Sequence, residues 1–170
     1  MTVTSYAIAL GSNRRHGRHG SPENVLRAAK AALEAAGLRV TATSPVIRTE
    51  AMGPAGRGFA NAAMLVDSTL APPALLALLK ATERAFGRRR RGRRWGARVL
   101  DLDILLWSGG AFHASGLSVP HRELARRAFV LRPLATVAGG WRLPGSVLTV
   151  RHLLARLQAP HPVDPQRPRP

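Results

Sequence analysis

Apolar and polar positions alternate weakly over residues 3–10, and the run ends in Gly11-Ser12-Asn13. This is the pattern of a strand entering a turn. Residues 14–20 (RRHGRHG) hold no apolar anchor and read as an exposed loop. His16 and His19 lie in it with no third ligand nearby, which favours a solvated loop over a metal site. Ser21-Pro22-Glu23 has the chemistry of a helix start: a capping hydroxyl, a proline in the first turn and an acid near the positive end of the helix dipole. Leu26, Ala29, Leu33 and Ala36 then keep helical spacing, and Gly37 supplies a stop. Leu38, Val40 and Ala42 alternate again, which predicts a second strand over 38–46 with Pro45 near its end.

Residues 48–58 form a glycine-rich stretch of the kind that serves as a binding loop or lid. A third strand is expected over 59–66. Pro72 and Pro73 open a helix that reaches about Phe86, with Leu75, Leu78, Leu79 and Phe86 inward and Lys80 and Glu83 together on another face. A fourth strand ends at Leu106. The order strand, helix, strand, strand, helix, strand predicts an α+β fold, a ferredoxin-like βαββαβ sandwich whose antiparallel sheet is flanked by helices. Beyond it the pattern gives a short strand pair at 111–112 and 117–119 and a short basic helix at 122–127. An apolar stretch at 128–131 is cut by Pro133, and Thr149 can cap a last helix with Val150, Leu153, Leu154 and Leu157 inward. At 170 residues the chain suits a single domain, expected to span 1–158, with a proline-rich tail at 159–170 expected to be disordered.

One segment breaks the apolar pattern in an informative way. In Leu100-Asp101-Leu102-Asp103-Ile104, period-2 geometry sends both aspartates to one face and the apolar residues to the other. The two Cα atoms would then stand ~6.6 Å apart. Carboxylates ~5 Å from each other at an effective dielectric of ~20 repel by about 3 kcal/mol. A proton on one carboxyl or a cation between the two relieves this, and so do bridging arginines; spacing alone leaves these readings open. Phe59 and Asn61 likewise share a strand face. A ring beside an amide can hold a flat, hydrogen-bonding heterocycle, or the pair can be a core Phe and a turn Asn.

Charge adds a constraint on partners. The formal net charge is +17, from 26 Lys and Arg against 9 Asp and Glu, and Lys30 and Lys80 are the only lysines. Residues 88–94 hold six arginines in seven positions. Such a balance points to polyanions without choosing among nucleic acid, anionic membrane and phosphorylated small molecules. The absence of cysteine excludes disulfides and thiolate metal sites. No apolar run approaches the ~20 residues of a membrane span, and no signal-peptide layout opens the chain, so a soluble cytoplasmic protein is expected. An RNA-binding sheet is the competing class, but the usual RNA-recognition signature is missing and only 5% of residues are aromatic. A metal-dependent nucleotidyltransferase using the aspartates is a second alternative.

Taken in order, Ala9-Leu10-Gly11-Ser12-Asn13, Arg48-Thr49, Phe59-Ala60-Asn61-Ala62, Glu83 before Gly87-Arg88, the run from Arg94-Trp95 to Asp103-Ile104-Leu105, and Val119-Pro120-His121 resemble the 6-hydroxymethyl-7,8-dihydropterin pyrophosphokinases of the folate pathway. The likeness covers about residues 3–158. It implies transfer of a diphosphoryl group from ATP to the pterin hydroxymethyl, with release of AMP. It also implies Asp101 and Asp103 as ligands of Mg²⁺ (two ions with ATP), and Arg88 and Arg98 as phosphate clamps. Phe59 and Phe129 would sandwich the pterin, and Asn61 would read its edge with help from Thr49, Ala51 and Met52. The ATP shell would draw on Lys80, Glu83, Arg90, Trp95, Arg98 and Ile104, and on Ser118, His121, Arg122 and Arg127. Some positions depart from the family pattern: Lys80 replaces a glutamine, Glu50-Ala51 a Pro-Pro loop, Gly116 an arginine and Arg122 an aromatic. The expected partners are ATP and 6-hydroxymethyl-7,8-dihydropterin, taken by a monomer with no membrane and no specific nucleic acid.

Overall fold

The computed structural model describes residues 2–49, 58–87 and 99–159. Its main elements are β1 (Thr4–Ser12), α1 (Pro22–Ala35), β2 (Arg39–Thr43), β3 (Ile47–Thr49), β4 (Phe59–Ser68), α2 (Pro72–Ala85), β5 (Asp101–Trp107), β6 (Phe112–Ala114), β7 (Leu117–Val119), α3 (Ala128–Ala138) and α4 (Val150–Gln158). The main sheet has the order β2-β4-β1-β5, β3 also pairs with β4, and each pairing is antiparallel. That is the expected ferredoxin-like sandwich, with one strand more than the pattern suggested.

Alternation builds two cores. Tyr6, Ile8 and Leu10 of β1, Met64 and Val66 of β4, and Leu102 and Ile104 of β5 are buried against Leu26, Ala29 and Leu33 of α1 and Leu75 and Leu79 of α2. The other face carries Ala7, Ala63 and Leu105, buried under Leu131 and Leu134 of α3 and Val150 and Leu153 of α4. Small residues at Ala7 and Ala63 leave room for that second helical layer. The caps foreseen at both ends of the chain are present: Ser21 Oγ accepts the N–H of Asn24, and Thr149 and His152 exchange the bonds of a capping box.

Several boundaries differ from the sequence expectation. The strand expected over 38–46 stops at Thr43, because Pro45 has no N–H to donate and Ser44 turns its hydroxyl to the N–H of Ala63 (2.9 Å). The chain pairs again as β3, inside what was expected to be loop. Residues 122–127 make only a 3₁₀ turn, Leu124–Arg126. The stretch cut by Pro133 is a helix, α3, which contains the proline. Its own packing over β4 keeps it helical despite the missing donor. Strand β1 runs on through Gly11 and Ser12, which were expected in a turn. The 14–20 loop does have an apolar anchor: the His19 ring stacks on Phe86 (centroids 5.1 Å) and on His16 (4.7 Å). The expected tail falls, from residue 160 on, outside the described residues.

Candidate functional site

Register decides which side chains meet. Gly11 of β1 is paired with Asn61 of β4 on one side and with Asp101 of β5 on the other, and Ala9 is likewise paired with Ala63 and Asp103. Cross-strand partners project to the same face, so Asn61, Gly11 and Asp101 form one row on the α3 side of the sheet, and Asp103 stands on the same face in the next row, beside Ala9. Gly11 contributes no side chain. A Cβ placed there would lie 3.6 Å from Asn61 Oδ1 and 4.0 Å from Asp101 Cβ. The glycine is thus the floor of a slot with an amide on one wall and a carboxylate on the other.

Strand β3 borders Asn61 on the other side of β4. Thr49 is paired with Phe59, and Thr49 Oγ1 accepts a hydrogen bond from Asn61 Nδ2 at 3.1 Å. Asn61 is buried and Phe59 half-buried. The bond orients the amide, so that its Oδ1 faces the slot over Gly11. Phe129 stands in the first turn of α3, which packs on β3 and β4, and its exposed ring has the Arg127 guanidinium 6.0 Å from its centre. Ala51 and Met52 lie outside the described residues.

The aspartates stand as their spacing foretold. Both are half-exposed, while Leu100, Leu102 and Ile104 are buried on the opposite face. Among the described residues no group of three His, Cys, Asp or Glu could hold a metal ion. A pair of carboxylates open to solvent does not make a closed cage. It fits Mg²⁺, which takes one or two carboxylates and completes its shell with phosphate oxygens and water.

With the slot and the paired aspartates in place, the comparison with known proteins is direct. The family model for 7,8-dihydro-6-hydroxymethylpterin-pyrophosphokinase (HPPK) matches residues 7–139. The chain belongs to that family. Among its relatives, the 2-amino-4-hydroxy-6-hydroxymethyldihydropteridine pyrophosphokinase of Methylorubrum extorquens is 40% identical over 157 residues, covering 91% of this chain and 94% of the relative. The enzyme of the same name from Pseudomonas aeruginosa is 41% identical over 154 residues, 89% of each. The crystal structure of Plasmodium falciparum HPPK-DHPS superposes with a TM-score of 0.64 at 13% identity, a likeness of fold alone. The match covers 91% of this chain and 43% of that longer one.

The remaining positions of the HPPK pattern sort by where the fold puts them. Ser118 is the middle residue of β7, with its hydroxyl against His113 Nδ1 (3.1 Å) and the carbonyl of Pro120 (3.3 Å). The N–H of His121 donates to the carbonyl of Leu105 (2.9 Å), so this segment lines the outer edge of β5. Arg122 is exposed and Arg127 half-buried beyond it. Ile104 has its side chain in the core, leaving only its backbone to a ligand. Arg88, Arg90, Trp95 and Arg98 lie outside the described residues.

Two features escaped the sequence. The slot floor at Gly11 becomes visible only with the register, although a glycine within a strand pattern is itself a signal of close backbone approach. The second is Glu83, expected on an open helix face and instead fully buried. Its Oε1 accepts the N–H of Leu102 at 2.7 Å and the ammonium of Lys80 at 2.9 Å, and Lys80 also donates to the carbonyl of Leu102 at 3.0 Å. Edge strand β5 thereby has both outward backbone groups of Leu102 satisfied from α2. Leu102 is the residue between the two aspartates.

Proposed function

We propose that the sheet face from Thr49 to Asp103 is where this chain carries out the HPPK reaction. As a family member the chain is a pyrophosphokinase of folate biosynthesis that acts on hydroxymethyldihydropterin. The observation that carries the assignment of the site is the register that places the oriented amide of Asn61, the side-chain-free Gly11 and the carboxylate of Asp101 side by side.

The pterin edge enters the slot. The Asn61 amide, locked by Thr49, reads its donors and acceptors, with Phe59 against one face of the ring and Phe129 against the other. ATP lies along the outer edge of β5, between the Ser118–His121 segment and Arg122 and Arg127. Arg88 and Arg98 would serve as the clamps of its phosphates. Two Mg²⁺ ions, held by Asp101 and Asp103, would neutralise triphosphate charge and activate the β-phosphorus. The pterin hydroxymethyl oxygen attacks that phosphorus in line, and the bond to the α,β-bridging oxygen breaks. AMP leaves with the bridging oxygen, and the hydroxyl proton passes to Asp101 or to water. The protein's part is positioning and electrostatics, which is why a site without a nucleophile suffices.

This reading is also supported by what the fold covers. The sheet face that an RNA-recognition sheet leaves open is packed under α3 and α4. No helix among the described residues is long and apolar enough to cross a membrane. We place the enzyme in the cytoplasm as a monomer. The decisive experiment incubates the chain with ATP, Mg²⁺ and 6-hydroxymethyl-7,8-dihydropterin and resolves the nucleotides. Pterin-dependent AMP is expected. Pyrophosphate release without AMP would assign a nucleotidyltransferase instead.

A further inference from the structure

Lys80 sits on α2, on the far side of the sheet from the slot, yet its ammonium reaches around the edge of β5 to 3.8 Å from Asp103 Oδ1. Three groups converge on that nitrogen: Glu83 Oε1 at 2.9 Å, the carbonyl of Leu102 at 3.0 Å and Asp103. Two of the three N–H donors of the ammonium are in hydrogen bonds to Glu83 and Leu102, and Asp103 stands at ion-pair distance. The buried Glu83 fixes the lysine from below, and the half-exposed lysine and aspartate meet at the surface. A glutamine, the residue the family pattern shows at this position, would offer two donors and no charge.

We propose that Lys80 is an internal counter-ion and positioning residue for the aspartate pair. It holds Asp103 while no divalent cation is present and yields that carboxylate when one binds. The inference rests on the assignment of Asp101 and Asp103 as cation ligands. Its consequence is a competition. The cation must displace an ion pair to claim Asp103, so this chain binds divalent cation more weakly than the same chain with a neutral residue at position 80. Lys80 also grips the backbone between the two carboxylates. Its loss therefore lowers thermal stability while raising cation affinity, a combination that a purely structural role does not produce.

The test measures Mn²⁺ binding, as the loss of free Mn²⁺ signal in electron paramagnetic resonance, to the nucleotide-free chain. Wild type is compared with Lys80→Gln, Lys80→Met, Lys80→Arg and Asp103→Asn. The neutral variants are expected to bind Mn²⁺ tighter by up to about fivefold, the upper range for a half-exposed ion pair. Lys80→Arg, which keeps the charge, is expected to stay near wild type. The free Mg²⁺ needed for half-maximal activity should fall in the same order. If neither neutral variant tightens Mn²⁺ binding, the counter-ion role is overturned while the aspartate site stands. If wild type and Asp103→Asn bind alike, the aspartate assignment fails and the inference falls with it.

Discussion

Adding one methyl group at Gly11 separates what the fold needs from what the site needs. Gly11 is not among the glycines with positive φ, so alanine suits its backbone. The new Cβ would meet Asn61 Oδ1 at 3.6 Å and Asp101 Cβ at 4.0 Å, ordinary contact distances. Alanine in a strand interior is favoured over glycine by roughly 0.5–1 kcal/mol, chiefly through the unfolded chain. For a domain of this size that is a rise in Tm of roughly 1–4 °C. The site responds in the opposite direction. The methyl occupies the slot floor, and overpacking a fitted contact costs about 1–3 kcal/mol. At 1.4 kcal/mol per tenfold this raises the KM for the pterin by roughly 5- to 150-fold. The KM for ATP should change little. Calorimetry and steady-state AMP formation with each substrate varied supply both numbers. A variant at least as stable as wild type whose pterin KM stays within about twofold would refute the slot as the pterin site.

Glu83→Ala strips the acceptor from the buried N–H of Leu102 and from Lys80; a loss of about 3 kcal/mol, or roughly 6–12 °C in Tm, is expected by calorimetry, and a drop under ~2 °C would dismiss the clamp. Phe59→Ala should raise the pterin KM about tenfold through lost stacking, judged by ~1–3 kcal/mol per stacked ring, with ATP binding by isothermal titration unchanged; an unchanged pterin KM would remove Phe59 from the site. Tyr6 is buried, its hydroxyl donates to the carbonyl of Leu70 at 2.6 Å, and burial raises its pKa above the ordinary tyrosine value. Stability from this group is full below the unfolded pKa of about 10 and falls as pH rises toward the folded value, because the unfolded chain ionises first. Tyr6→Phe should therefore cost about 1 kcal/mol at neutral pH, and urea titrations should show that gap narrowing above pH ~10; a constant gap would contradict the burial argument.

What could be read from the sequence followed local periodicity. The strand of Asp101 and Asp103, the caps at Ser21 and Thr149, and the shared face of Phe59 and Asn61 all depend on spacing within one element, and all are present. Features that depend on a partner far along the chain stayed hidden. An acid three residues after Lys80 on an amphipathic helix looks like half of a surface pair until β5 is placed beside it. His19 in a polar loop looks solvated until Phe86 is brought under its ring. Pro133 argues locally against a helix, and only burial of Leu131 and Leu134 on β4 overrides it. Three-residue β3 is too short for any period to register. The site was legible in its residue types, whereas its shape, with Gly11 as the gap between two walls, required the antiparallel register.

The central claim is that Asp101 and Asp103 act together to hold the cations on which diphosphoryl transfer depends. Pterin-dependent AMP formation by wild type, Asp101→Asn and Asp103→Asn at saturating Mg²⁺ tests it most directly. The account predicts that each single variant loses at least about a hundredfold in kcat, of the size expected when a charge stabilising the transition state is removed. Both should retain the fold by circular dichroism. Turnover within a few-fold of wild type in either variant would contradict it.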